Sequence, residues 1–277
     1  MSPLNLDYFN RQEKIPWFNQ RELKSLAVSV LGMGGIGTNI SLLLNRLGIG
    51  KVMLIDFDKI EASNLNRQTL YSKKDIGRIK VDVAKETLDD LDNLDSENVA
   101  YNYDLFADWK KTIKIIEESD YVMNGLDLPE IKRTLMGILC YNLKKPMIYC
   151  GTDPTSGYSG MVLYQSSKRD EPCHECLQAV LNTVENEDKV KKYATDNILE
   201  HETINWMELE GNNYKEIPNS GATNIITAMF CSTLAVNVLL HSIFNHPVNQ
   251  RIIFDLYIDS IEGYKLEKRP DCLVCGI

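Results

Sequence analysis

The sequence predicts an α/β fold: a doubly wound, mostly parallel sheet with a C-terminal antiparallel extension and a four-cysteine metal site. Three observations predict it. Apolar runs alternate with helix-period stripes over roughly 125 residues, the pattern of successive βα units. A glycine-rich turn, Gly32-Met33-Gly34-Gly35-Ile36-Gly37, joins the first run to the first stripe. Four of the seven cysteines fall in two Cys-x-x-Cys pairs, Cys173/Cys176 and Cys272/Cys275.

The elements follow in order. Residues 26–31 read as the first strand. Ile36, Ile40, Leu43, Leu44 and Leu47 form a helical stripe that stops at Gly48, a residue suited to a helix C-terminus. Lys51 to Asp56 reads as the second strand, ending in acid. A helix follows Gly77 through Val81, Ala84 and Leu88. Strands are expected at 98–103 and 120–124. Leu128-Pro129 opens a helix bearing Ile131, Leu135, Ile138 and Leu139 on one face, because proline suits a first helical turn. Pro146 to Cys150 is the next strand, and Met161 to Gln165 another. Residues 182–219 are polar and charged, long for a connection, and such loops are functional or disordered. The chain divides into an arm, 1–25, a nucleotide-binding part, 26–155, and a C-terminal part, 156–277. No internal repeat or low-complexity tract is visible.

Composition narrows the function. With 277 residues, 44% hydrophobic and 25% charged, the chain is an ordinary globular protein with a sizeable core. A formal net charge of −9 disfavours nucleic acid as a partner. The N-terminus lacks the pattern of a secretory signal. The stretch from Ile217 to Gln250 carries no Asp, Glu, Lys or Arg, but Thr227, Ser232, Thr233 and Asn237 break its apolar part. It reads as a buried helix, with no membrane span. A helix apolar nearly all round belongs in a core or against a second copy, so a homodimer is expected. The expected place is the cytoplasm.

The glycine turn has a mechanical purpose. Gly34, Gly35 and Gly37 let the backbone approach phosphate beside a helix N-terminus, where negative charge is favoured. Asp56 stands at the end of the second strand, placed for a ribose hydroxyl. A dinucleotide-binding dehydrogenase begins in the same way, so the turn alone leaves the nucleotide open. Asn64, Arg67, Gln68 and Lys80 add cations and amide donors suited to a triphosphate. The two cysteine pairs supply four thiolates, the number a closed structural zinc site needs. His174, inside the first pair, is expected at the surface. Cys140 and Cys231 fall in apolar helices, where cysteine is a small hydrophobe. Cys150 ends a strand and could approach the site.

Residues 56–81, DFDKIEASNLNRQTLYSKKDIGRIKV, resemble the ubiquitin-activating superfamily, in its small ThiF/MoeB/HesA branch, which includes microcin- and pantocin-type peptide-adenylating relatives. The matching motifs are Asp56-x-Asp58, Ser63 to Gln68, and Asp75-Ile76-Gly77-x-x-Lys80. Phe9-Asn10-Arg11-Gln12, the segment from Asp120 to Asp127, and both cysteine pairs extend the likeness to residues 9–276. The resemblance implies a Rossmann-like ATP-binding fold. It implies an adenylyltransferase that joins a carboxylate to the α-phosphate of ATP and releases pyrophosphate. Its substrate would be the C-terminus of a small ubiquitin-like sulfur carrier, or a precursor peptide of a modified natural product. A non-catalytic dimeric binding partner is the alternative from another class. By the resemblance, Arg67, Lys80, Asp127 and Arg11 are catalytic. Asp127 would hold Mg²⁺ or orient the reacting phosphate, a role compatible with its capping the helix that follows, and Arg11 would reach into the partner's site. Asp56, Asp58, Asn64 and Gln68 would contact ATP, and Zn²⁺ would occupy the cysteines. Where the family commonly has Thr-Asp-Asn, this chain has Leu126-Asp127-Leu128. Some relatives carry a further cysteine in the crossover, but Leu177 to Gly221 contains none. Tyr193, Trp206 and Tyr214 would grip a peptide there or pin the crossover to its own domain.

Overall fold

A computed structural model describes residues 8–91, 96–127, 130–178, 196–205 and 221–276. The strands are β1 (Ala27–Leu31), β2 (Lys51–Ile55), β3 (Glu97–Tyr101), β4 (Tyr121–Asn124), β5 (Met147–Thr152), β6 (Ser159–Gln165), β7 (Arg251–Asp255) and β8 (Ser260–Tyr264). The helices named below are α1 (Gln20–Ser25), α2 (Gly35–Leu47), α3 (Lys80–Asp90), α4 (Trp109–Glu117), α5 (Glu130–Asn142), α6 (His174–Gln178) and α7 (Ile225–Ile243).

The eight strands form one sheet in the order β3-β2-β1-β4-β5-β6-β7-β8. The first five pair in parallel, with Val28 opposite both Val52 and Tyr121. The last three join antiparallel. Parallel strands covered on both faces read as near-continuous apolar runs, and β1, β2 and β5 do. Val28, Val30, Val52, Leu54 and Ile148 face α2, α3 and α7. Leu31, Met53, Ile55, Val122 and Met147 face α4, α5 and the cysteine cluster.

Local chemistry sets the helix ends. The α2 helix stops at Gly48, which takes φ +75°. A Cβ there would come 2.4 Å from the Phe9 ring, so the N-terminal arm packs on this end of α2. Asparagine starts two of the helices. The Asn19 side chain accepts from the Arg21 and Glu22 N–H groups at the head of α1. The Asn224 side chain accepts from the Ile226 and Thr227 N–H groups at the head of α7. Each satisfies backbone donors that the helix itself leaves unpaired.

The α7 helix differs from its expected burial. One side packs on the sheet and on α2, where Ser232 donates to the Ile36 carbonyl at 3.1 Å. Ile226, Met229, Thr233 and Asn237 form an exposed stripe on the other side. Part of the long crossover is described and is pinned to its own domain. The Trp109 indole donates to the Ile198 carbonyl at 2.8 Å, and Ile204 N–H donates to the Phe106 carbonyl at 2.9 Å. Tyr193, Trp206 and Tyr214 lie outside the described residues.

Candidate functional site: a glycine-lined crevice and a four-thiol cluster

Between β1 and β4 the chain reverses its winding: α2 covers one face and α5 the other. Ligands of open α/β sheets bind at such a point, beyond the carboxyl ends of the strands. Gly32 makes the turn with φ +85°, its N–H bonded to the Ile55 carbonyl at 2.8 Å. A Cβ on Gly37 would fall 1.8 Å from the Gly32 carbonyl oxygen, so the turn folds directly onto the first turn of α2. Gly34 is the N-cap of α2. A Cβ on Gly34 would meet only the Gln68 amide nitrogen, at 4.0 Å.

Asp56 is buried beneath this turn. Its Oδ2 accepts the Met33 N–H at 2.6 Å, and its Oδ1 accepts the Asp58 N–H at 2.7 Å. Burial raises its pKa, while Lys80 pulls the other way. The side chain of Lys80 is 9% exposed, and its Nζ lies 2.8 Å from Asp58 Oδ2. Asp58 is half-exposed. The Lys80 N–H also bonds the Asp58 carbonyl at 3.0 Å, so the head of α3 is tied to the end of β2.

The loop from Glu61 to Tyr71 lies over the glycine turn. Asn64 is buried, and its Oδ1 accepts the Glu61 N–H at 3.0 Å, which commits that oxygen to the loop itself. Arg67 is partly buried. Its Nη1 donates to the Ser63 carbonyl and to Asn66 Oδ1, both at 2.9 Å. Its Cγ lies 3.0 Å from where a Gly35 Cβ would be, so glycine there makes room for the arginine stem. Gln68 is buried and its Oε1 has no hydrogen-bond partner within the described residues. An orphaned buried acceptor beside a helix N-terminus fits a missing donor such as a nucleotide hydroxyl or a water.

The structure therefore brings Gly34, Gly35, Gly37, Asp56, Asp58, Asn64, Arg67, Gln68 and Lys80 to one crevice. Asp127 is exposed on the adjoining turn. That turn touches the glycine turn: a Gly32 Cβ would lie 3.2 Å from the Gly125 carbonyl oxygen. The helix-cap reading of Asp127 depends on residues 128–129, outside the described residues. Arg11 is elsewhere. Its neighbour Gln12 donates to the Leu47 carbonyl at 3.1 Å, at the far end of α2, about 20 Å from the glycine turn for a 13-residue helix. Arg11 does not serve the crevice of its own chain.

Residues not singled out from sequence complete the site. The buried Tyr71 hydroxyl donates to the Met33 carbonyl at 3.0 Å. Thr69 donates to Asn39 Oδ1 at 2.9 Å, and Asn39 donates to the Gly35 carbonyl at 2.6 Å. Tyr71 sits inside the recognised motif segment, but a hydroxyl's partner depends on how two distant turns stack.

The four cysteines converge. All are buried, and their sulfurs lie within 4.8 Å of one another. Three sulfur–sulfur distances are 3.3, 3.6 and 3.9 Å. Four sulfurs at Zn–S bond length around a tetrahedral ion would be about 3.8 Å apart, so the cluster fits one. The Arg269 N–H points at Cys176 Sγ, 3.4 Å away, the kind of outer contact that orients a thiolate ligand. His174 is not at the surface as expected but 1% exposed. Glycine at position 137 admits it, since a Cβ there would sit 2.5 Å from the His174 Cβ. Burial, with Arg133 nearby, holds its pKa down to about 3, so the ring is neutral. It packs edge-on to Tyr149 at 5.6 Å. Cys150 is buried, and its contact with Cys231, then burial, push its thiol well above the ordinary value. It is a poor nucleophile. Cys140 is buried and raised likewise.

The ThiF family model matches residues 9–274. The chain belongs to the ThiF family. Among relatives of this ThiF-family chain is the molybdopterin-synthase adenylyltransferase of Escherichia coli, 25% identical over 274 residues, covering 97% of this chain and 95% of that one. The Salmonella typhimurium enzyme is 26% identical with the same coverage. The adenylyltransferase and sulfurtransferase MOCS3 of Culex quinquefasciatus is 32% identical over 158 residues, which are 57% of this chain and 34% of MOCS3. The chain thus aligns with about a third of that larger protein. Among solved structures, Escherichia coli MccB with ATP superposes with a TM-score of 0.74 at 22% identity, over 98% of this chain and 75% of MccB. At that identity the likeness is one of fold. The homologues are adenylyltransferases of the ThiF/MoeB type.

Proposed function

We propose that this ThiF-family protein is an ATP-dependent adenylyltransferase. A substrate carboxylate oxygen attacks the α-phosphorus of ATP, the bond to the bridging oxygen breaks, and pyrophosphate leaves. The product is an acyl-adenylate. The observation that carries this reading is the crevice itself: a helix N-terminus, Arg67 and Lys80 gathered where three phosphates would need donors and cations. Catalysis of this kind is positioning and charge stabilisation. In this reading Arg67 and Lys80 hold phosphate oxygens, with Asn64 and Gln68 in support. Asp56 takes the ribose. Asp58 holds Lys80 or contacts the nucleotide. Asp127, at the mouth, is the carboxylate available for Mg²⁺. Zn²⁺ would be held by Cys173, Cys176, Cys272 and Cys275 with no open position, as a structural tie. Such a thiolate site suits a reducing compartment, which supports a cytoplasmic location.

The substrate in this reading is the C-terminus of a small ubiquitin-like sulfur carrier. The match to the molybdopterin-synthase adenylyltransferases along nearly their whole length supports it. A ribosomal peptide is the second reading. Leu126 in place of the family's polar residue, and a crossover without cysteine, favour it. A homodimer is supported by the exposed stripe of α7 and by the distance of Arg11 from its own crevice; in this reading Arg11 reaches into the partner's crevice instead.

The test is ATP–pyrophosphate exchange with Mg²⁺, in the presence of Gly-Gly-ended carriers and of small peptides from the same source. Exchange that depends on one of them establishes adenylation and names the substrate. Lys80→Ala and Arg67→Ala are expected to abolish exchange and to leave the fold intact. Wild-type rates in either variant remove that residue from the mechanism. ATP binding without exchange for any substrate supports a non-catalytic binding partner.

A further inference from the structure

We propose that Tyr71 is a positioning residue that aims the Gly34 N–H at the nucleotide's phosphates. This rests on reading the crevice as an ATP site. The Tyr71 hydroxyl donates to the Met33 carbonyl at 3.0 Å, in a buried contact. The same Met33 is fixed on its other side, where its N–H is held by Asp56 Oδ2 at 2.6 Å. The residue therefore has both backbone groups tied, one to the acid that follows β2 and one to the loop that carries Arg67 and Gln68.

The consequence follows from peptide geometry. A trans peptide is planar, and its C=O and N–H point in opposite directions. The carbonyl of Met33 and the N–H of Gly34 belong to one peptide. Holding the carbonyl against Tyr71 turns the N–H the other way, at the N-cap of α2, and the space around Gly34 is open enough for a ligand, since a Cβ on it would meet only Gln68 at 4.0 Å. Gly34 has no side chain to resist rotation, and glycine moves between conformations more freely than any other residue. Without an anchor this peptide plane could flip and present its carbonyl oxygen to an incoming anion. Tyr71 removes that alternative. Burial, with Asp56 and Asp58 nearby, keeps the hydroxyl protonated and therefore a donor. Tyr71 follows Gln68 by one turn, with its N–H toward the Gln68 carbonyl at 3.4 Å. The loop that supplies the cation thus also sets the backbone donor.

The experiment compares the wild type with Tyr71→Phe by calorimetry, using ATP and adenosine as ligands, alongside the melting temperature of each ligand-free protein. Tyr71→Phe is expected to weaken ATP roughly tenfold, the size of one net hydrogen bond, and to leave adenosine affinity unchanged, since adenosine has no phosphates. A merely structural role would weaken both ligands alike, and that result overturns the proposal. So does an unchanged ATP affinity in the variant. Wild type that binds no ATP overturns the ATP-site reading, and this proposal with it. If the variant does not fold, the native protein still decides. Amide exchange measured by NMR should show Gly34 N–H becoming protected when ATP is added, and no protection of that amide overturns the proposal.

Discussion

Asp75 is gripped from three directions. The Ser72 N–H and hydroxyl both reach its Oδ2, at 2.9 and 2.6 Å, and Arg78 approaches its Oδ1 at 3.2 Å. The Ser72 hydroxyl is the main reason its carboxyl stays ionised below the ordinary value. A depressed carboxyl stabilises the fold above its unfolded pKa and loses that contribution as pH falls through the folded one. Asp75→Asn is therefore expected to cost about 1 kcal/mol at pH 7, with Arg78 adding little because it is exposed. The gap in melting temperature to the wild type should close well below pH 3.8, the ordinary value. An equal gap at both pH values would show that the carboxylate's charge is irrelevant there. At this scale the sequence is legible wherever a motif couples residue type to spacing, as in Asp56, Arg67 and Lys80. It is silent on Tyr71 and misleading on His174. The partner of a hydroxyl, or the burial of a ring, is decided by elements far apart in the chain.

Among the elements, the strands are readable because burial on both faces makes them uninterrupted apolar runs. The expected strand at 98–103 is β3 at Glu97–Tyr101, and that at 120–124 is β4 at Tyr121–Asn124. The α4 helix and the β7–β8 hairpin escape a reading by pattern. In α4 the buried Trp109, Thr112, Ile115 and Ile116 do repeat at helical spacing, but over nine residues, too few to stand out from the surrounding chain. β8 is mostly exposed along its length, so it has no apolar face to announce it. The cysteine pairs are legible from spacing alone, and the fold joins α6 to the C-terminal turn through them. One zinc per chain is expected by elemental analysis. Cys272→Ser should lose the metal and lower the melting temperature by several degrees, because a structural ion contributes folding energy directly. Full-length protein that carries no metal, with an unchanged melting temperature on adding a chelator, would show the cluster to be four packed thiols.

For the whole molecule, alternation of strands and helices is enough to expect a parallel, doubly wound sheet with its crevice at the carboxyl ends. The antiparallel order of β6, β7 and β8 can be expected only as an extension, since nothing local fixes which edge a late strand joins. The outward stripe on α7 belongs to this scale. Met229 is 42% and Ile226 66% exposed on a helix whose other face is core. Exposed apolar patches mark interaction sites, and Ile226 and Met229 are the apolar half of a stripe that Thr233 and Asn237 continue. Met229→Glu is expected to convert a dimer to a monomer by light scattering, and to abolish exchange by withdrawing Arg11. A wild-type protein of monomeric mass at micromolar concentration would contradict both.

Lys80 is held by Asp58 within the fold itself. A lysine free in solution would have to give up many rotamers when it grips an anion, at about 0.5–1.5 kcal/mol for each such side chain. Here that disorder is surrendered during folding. In the proposed ATP site, a phosphate would find an ammonium already in place and would have only to share it with an aspartate that faces water.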